Sequence, residues 1–363
     1  MKRRIFLHKS QTILEEKKSP ILKNSLTVLI SIAIAGLFLW LALRGLDLDK
    51  IKGSLQKANY LWVAFAAVFG VSAYIFRAVR WNLLLEPMGY KISNSNSLWS
   101  ISFGYLMNLT IPRSGEVARS TALYGVEKVP VDKSFGTIIL ERVVDLVCMG
   151  IFAILTLILK YDTLLSFYKI ATEQKPDDKK ELNWFELQLM KIGITDLEQF
   201  YFYLKVSVGI LFILGLVYLF IYKKDKLISF AKGVFEGLKS ILTLKQKGKF
   251  ILLTAGIWIC YFFASYLVCF ALPETSNFTP ADGCFILVVG TLGMIIPASG
   301  GIGAFNLAMK FGFTALFISM GKDAVEGGEL GLAYSFITLP LQIIIMLVMG
   351  LISIPMLAKN RKI

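Results

Sequence analysis

Histidine is almost missing from this chain. The single one, His8, lies in a polar, basic leader. A histidine-based metal site and a Ser-His-Asp triad are therefore not supported. Cysteine is scarce as well. Cys148, Cys260, Cys269 and Cys284 all lie in apolar segments and form no C-x-x-C pair, so neither a disulfide framework nor a zinc site is indicated. Charge is thin: 18% of residues are Asp, Glu, Lys or Arg, against about 25% in a soluble domain. There is no GxxxxGK[ST] phosphate loop, which leaves ATP hydrolysis by this chain without its usual cradle. Nothing points to a cofactor. The net charge of +14 is not spread over a basic soluble module, and nucleic acid is not an expected partner.

What the chain has instead is apolar length. Of its 363 residues, 56% are apolar, and mean hydropathy is +0.65. A spanning helix needs about 20 apolar residues. Six runs qualify, at 26–44, 60–85, 134–160, 203–222, 250–272 and 330–357. Two more apolar stretches, 97–126 and 283–319, are interrupted by proline and glycine. The expected fold is an all-α polytopic membrane protein with about six spanning helices and two broken hairpins. The first apolar run starts too late for a signal peptide, and Leu41-Ala42-Leu43-Arg44 offers no small-residue cleavage site. The first helix is therefore expected to stay as an anchor.

Lysine and arginine in flanking loops set orientation. The leader 1–25 is basic, segment 223–249 holds eight lysines against Asp225 and Glu236, and the tail 358–363 carries Lys359, Arg361 and Lys362. All three are expected in the cytoplasm. Segment 161–202 has five lysines against eight acids, and 320–329 is acidic, so both are expected outside. The slightly basic loop 45–59 argues weakly the other way. These assignments agree if each interrupted stretch enters and leaves on one side, as a re-entrant hairpin or as two short crossings. The arm 97–111 would be about 22 Å of helix, short of a core of about 30 Å, which favours re-entry. The linker 226–247 has apolar residues at helical spacing and reads more simply as a surface-lying connector than as a lipid sensor.

The two interruptions resemble each other. Ile111-Pro112-Arg113-Ser114-Gly115 matches Ile296-Pro297-Ala298-Ser299-Gly300 at four of five positions. Pro112 and Pro297 stand about half the chain apart. The order of elements around them repeats too: 26–160 forms a first membrane repeat and 203–357 a second. One starts inside and the other outside, so an inverted repeat is expected, a plan in which broken helices build the binding site.

Charged residues concentrate at the first break. In Asn108-Leu109-Thr110-Ile111-Pro112-Arg113-Ser114-Gly115-Glu116-Val117-Ala118-Arg119, proline and glycine end one helix and start another near Ser114. A helix start offers free N–H groups to an anion. Arg113 and Arg119 add fixed positive charge, with Glu116 as a counter-charge or as a partner for a cationic headgroup. Surface pairing among the three is the plainer reading, but ionisable groups in an apolar stretch usually serve function. Glu141-Arg142-Val143-Val144-Asp145 lies inside the run 134–160. Glu141 and Asp145, four apart, share a helix face, and Arg142 and Asp145 can pair. They form either a polar cavity wall or an internal ion-pair network, and contact with Arg113 or Arg119 is expected either way. The second break, with Ser299, Gly300, Gly301 and Gly303, carries no charge and can bind through backbone or simply pack helices closely. Arg77 and Arg80 sit near one end of span 60–85 and are expected to snorkel to headgroups.

With these residues in view, the chain resembles the transmembrane, flippase-like region of lysylphosphatidylglycerol synthases. The likeness rests on Asn108, the Pro112–Glu116 run, Arg119, Glu141-Arg142 with Asp145, and the Pro297–Gly303 run. It implies a polytopic membrane protein that translocates or otherwise handles modified phospholipids or lipid-linked precursors. It does not imply lysyl transfer, because only about six residues follow the last span and the soluble transferase domain of the synthases has no counterpart here. The expected function is transport of a lipid with an anionic headgroup, in a bacterial cytoplasmic (inner) membrane. The headgroup would be held by Asn108, Arg113, Ser114, Gly115, Glu116, Arg119, Glu141, Arg142, Asp145, Ser299, Gly300 and Gly301. An intramembrane enzyme acting on a lipid headgroup, and a non-transporting partner of a lipid synthase, are the alternatives.

Overall fold

The computed structural model describes residues 40, 48–111, 113–172, 244–295 and 301–361. The leader, nearly all of the predicted span 26–44, the span 203–222, most of the linker 226–247 and of the loop 161–202, Pro112, Ser299 and Gly300 lie outside the described residues. Those that are described form ten α-helices and no strand: α1 (Leu48–Lys57), α2 (Tyr60–Leu85), α3 (Asn94–Thr110), α4 (Gly115–Glu127), α5 (Val131–Leu159), α6 (Tyr161–Thr172), α7 (Lys247–Cys269), α8 (Pro280–Ile295), α9 (Ala304–Ser319) and α10 (Ala324–Lys359).

Local chemistry sets the helix ends. Asn59 caps α2 by accepting the Leu61 N–H at 3.1 Å, and Asp323 caps α10 by accepting from Val325 and Glu326. Lys128, at φ 57°, ends α4, and Pro130 stands just before α5. Four helices are long and apolar enough to cross a membrane: Tyr60–Met88, Val131–Leu159, Lys247–Cys269 and Ala324–Lys359. They correspond to the four predicted spans that the structure describes. The last begins at Ala324 rather than near 330, because the Asp323 cap draws part of the expected acidic loop into the helix. Two other expected loops carry helices, α1 within 45–59 and α6 at the start of 161–202. The chain is a polytopic all-α membrane protein.

The two interrupted stretches are helix pairs. α3 and α4 have 17 and 13 residues, and α8 and α9 have 16 each. At 1.5 Å per residue these run about 20–25 Å, less than the roughly 30 Å of hydrocarbon.

The repeat is visible in the packing. When Pro112 is set in register with Pro297, the bounds of α2 and α3 fall within two residues of those of α7 and α8. Contacts between the halves are reciprocal: α3 packs on α10 as α8 packs on α5, and the equivalent helices α2 and α7 pack on each other. They do so antiparallel. The Trp62 ring lies 5.2 Å from Phe270, Phe69 lies 5.0 Å from Phe263, and Phe76 lies against Gly256. Helices that correspond in this register thus run in opposite directions, the arrangement expected of an inverted repeat.

Glycine sets the closest helix crossings. A Cβ on Gly331 of α10 would strike the Met309 carbonyl oxygen of α9. Gly104 and Gly115 let α3 and α4 touch through backbone in the same way. Gly331→Ala is expected to destabilise the protein by about 1–3 kcal/mol through forced separation of α9 and α10. Gly53→Ala, in α1 with nothing within 4 Å of the added carbon, should be neutral or stabilising by up to about 1 kcal/mol. Unfolding of the detergent-solubilised protein followed by circular dichroism checks the contrast, and equal effects at both sites would refute it.

Candidate functional site

A charged network is buried where α2, α4 and α5 meet. Arg77 and Arg80, three apart on α2, face Asp145 of α5. Arg77 Nη2 donates to Asp145 Oδ2 at 3.0 Å and Arg80 Nη1 to Asp145 Oδ1 at 2.9 Å. Glu141, one turn back on α5, accepts from Arg119 of α4 at 2.7 Å and lies 3.9 Å from Arg80 Nε. Arg119 stacks on Trp81, its Cζ 3.6 Å from the ring, and the indole N–H of Trp81 donates to Thr137 at 2.9 Å. At the exposed edge Arg142 binds Glu116 at 3.2 Å and lies 3.7 Å from Asp145. Arg77, Arg80, Arg119 and Glu141 are all at most 4% exposed.

The network carries an excess of positive charge. Four arginines, 77, 80, 119 and 142, meet three carboxylates, 116, 141 and 145. Among the described residues, Arg80 Nη2 and Arg119 Nη2 are buried with no hydrogen-bond partner. An excess guanidinium held in apolar surroundings favours a further anion nearby, since an unpaired buried charge is costly.

An asparagine accepts a backbone N–H at each break. Asn108 Oδ1 accepts the Gly115 N–H at 2.7 Å across the first, and Asn306 Oδ1 accepts the Gly303 N–H at 2.9 Å at the second. The Ser114 hydroxyl donates back to the carbonyls of Met107 and Ile111. Arg113 sits at φ 63°, uncommon for a residue with a side chain. Its Nη2 donates to the Ile295 carbonyl at the end of α8, 3.2 Å away, so the first break touches the second hairpin directly.

Between the repeats lies a cavity of about 530 Å³, within the range of small-molecule sites. Arg77, Arg142 and Asp145 form its charged side, with the phenols of Tyr74, Tyr105 and Tyr261 among the other lining groups. The rest is mostly apolar, with Leu146 and Met149 from α5, Gly290 and Met294 from α8 and Ile345 from α10. Tyr105 accepts a bond from Arg77 Nη1 at 2.7 Å, tying α3 to the network.

Of the residues expected from sequence, Arg142 and Asp145 line this cavity. Glu116, Arg119 and Glu141 belong to the network behind it, and the expected contact of Glu141 with Arg119 is present. Asn108, Ser114 and Gly115 build the first break, where the Gly115 N–H is already taken by Asn108. Arg113 stands at the junction with α8. Gly301, at φ 74°, packs against Met294. Arg77 and Arg80 do not snorkel. Their side chains turn inward because Asp145 and Glu141 lie on the facing side of α5. Arg77 and Tyr105 were missed as site residues. The available signal was the stripe Tyr74, Arg77, Trp81, at helical spacing and about two turns inside the span end. Among the described residues no three acidic, histidine or cysteine side chains gather to hold a metal ion.

Fold and site together define a multi-pass all-α membrane protein with a cavity that is charged on one side. Residues 28–346 match the family described as the lysylphosphatidylglycerol synthase TM region, and the chain belongs to that family. It is 27% identical over 131 residues to the UPF0104 membrane protein MJ1595 of Methanocaldococcus jannaschii, covering 35% of this chain and 38% of the relative. It is 25% identical over 132 residues to a glycosyltransferase, AglD, of Haloferax volcanii, covering 36% of this chain and 21% of the relative. The matched segments thus span well under half the length of either. No solved structure matches the chain.

Removing one member of the buried network should cost more than removing a pair. Glu141→Gln leaves Arg119 and Arg80 short of a counter-charge and is expected to destabilise by about 3–5 kcal/mol. The double variant Arg119→Leu, Glu141→Leu should lose less than that. Unfolding of the double variant beside Arg119→Leu alone and Glu141→Leu alone completes a double-mutant cycle, and additive losses would show that the two side chains are not coupled.

Proposed function

We propose that the protein moves a lipid or lipid-linked precursor with an anionic headgroup across the cytoplasmic membrane, both termini facing the cytoplasm. The observation that carries this reading is the cavity between the repeats, cationic on one side and apolar elsewhere. A phosphate would take the place beside Arg77 and Arg142 that Asp145 now shares, and a planar guanidinium can hold it by two bonds. The apolar wall would accept the first carbons of the chains while the rest stay in the bilayer. Arg113 and the short helices of both hairpins, read as re-entrant, would form the moving part. Family membership supports a lipid-related role.

A second reading has one observation in its favour: a relative is named a glycosyltransferase. An enzyme acting on the bound headgroup would use Asp145 as its carboxylate. Against it, both oxygens of Asp145 already accept from arginines, Oδ2 from Arg77 and Oδ1 from Arg80. That commits the carboxylate to holding charge rather than to meeting a substrate.

Reconstituted vesicles containing fluorescent phosphatidylglycerol separate the readings. The wild type should speed transbilayer movement, and Arg77→Gln should slow it by about tenfold or more, the loss of a charged hydrogen-bond pair. Arg77→Lys should restore little, since a compact ammonium lacks the planar fork whose two nitrogens reach Tyr105 and Asp145 separately. Movement unaffected by Arg77→Gln would sink the proposed site. A changed lipid mass by mass spectrometry would favour the enzyme.

A further inference from the structure

The two repeats are fastened to each other at both ends of the bundle, at equivalent places but with different chemistry. At the C-terminal end of α5, Lys160 Nζ lies 2.7 Å from Oδ1 of Asp282, the third residue of α8. At the C-terminal end of α10, Asn360 Nδ2 donates to Oδ1 of Asn96, the third residue of α3, also at 2.7 Å. Each repeat's closing helix thus ends on the third residue of the other repeat's first hairpin helix. Each join also reaches the far end of the same hairpin. Thr163 of α6 donates to Ser319 at the end of α9 at 3.0 Å. Glu127 at the end of α4 accepts from Asn96 at 2.7 Å and from the Ser93 N–H at 3.3 Å. Because the repeat is inverted, the two joins lie at opposite ends of the bundle, with the cavity between them.

Their strengths differ. Asp282 is fully buried, and its other oxygen accepts the N–H and the hydroxyl of Thr279 at 2.8 and 2.7 Å. Parting it from Lys160 leaves a buried carboxylate without its cation, a much larger cost than losing one amide–amide bond. In inverted-repeat transporters the site is exposed to one face at a time as one half rocks against the other. We infer that the Lys160–Asp282 and Asn360–Asn96 joins are opposed gate latches, of which the ionic one is the stronger. The protein then opens more readily at the Asn96 end, and opening at the Asp282 end is the step held back by the Lys160 pair. This rests on the transport reading above and on the inverted packing, and not on the identity of the cargo.

Amide hydrogen exchange on the reconstituted protein tests it, with Asp282→Asn as the first variant because an asparagine oxygen can still cap α8 through Thr279. Exchange over 280–286 and 156–163 should rise by about tenfold or more, as local opening becomes easier. Exchange over 94–100 should fall, because the two ends open in turn. Asn360→Ala should produce the mirror image, faster at 94–100 and slower at 280–286. Lys160→Gln, which leaves every Thr279 bond to Asp282 in place, should repeat the Asp282→Asn pattern. Faster exchange at the altered end with none lost at the other would reduce the joins to independent packing contacts. No change at either end would refute the latch outright.

Discussion

Everything in this bundle has to accommodate one constraint: three arginines and a glutamate sit almost without solvent among apolar helices. Removing an ion from water costs several kcal/mol even after the protein relaxes. Arg77 and Arg80 can be tolerated on α2 only because α5 presents Asp145 and Glu141 one turn apart. Arg119 can be tolerated on α4 only because Glu141 has a second oxygen and Trp81 a flat face. The alignment of α2, α4 and α5 is therefore dictated by charge as much as by shape. Apolar surfaces alone would leave it under-determined, since lipid tails compete equally for every leucine.

Much of the architecture was legible because it depends on features that a sequence displays directly. Run length marked the four spanning helices among the described residues, since a helix satisfies its own backbone inside hydrocarbon. Proline followed by glycine marked the first break, and its echo half a chain later marked the second. The antiparallel packing of α2 on α7 agrees with the opposite directions expected for the two halves from their loop charges. The helix α6 and the early start of α10 were less legible. The early start of α10 depends on capping by a short polar side chain, Asp323, which hydropathy does not see.

The site was legible in its parts and not in its assembly. Glu141, Arg142 and Asp145 announce themselves by lying inside an apolar run. Arg77 and Arg80 carry the same signal but sit close enough to a helix end for snorkelling to be the cheaper guess. Only the partner helix decides between the two, and the spacing of α2 contains no information about what α5 will place opposite. For the same reason the helix start at Ser114 reads as an open anion cradle in sequence. In three dimensions Asn108 folds back across the turn and takes the Gly115 N–H.

The repeat also shows how a symmetric scaffold comes to hold an asymmetric site. In the register that sets Pro112 on Pro297, the counterparts of Arg77, Tyr105, Glu116 and Arg119 are Phe262, Gly290, Gly301 and Ala304. The second repeat keeps the helices and the break while discarding every charge of the first at these positions. Small residues there provide room: Gly290 lines the cavity that Tyr105 faces from the other side. An amphiphile needs that division, a charged wall for its head and an apolar wall for its tail, and two identical halves could not supply both. The same divergence reaches the ends of the bundle, where one copy of the join is ionic and the other an amide pair. A perfectly repeated protein would open equally to both faces, whereas unequal joins give the two directions different barriers, and with them a resting state.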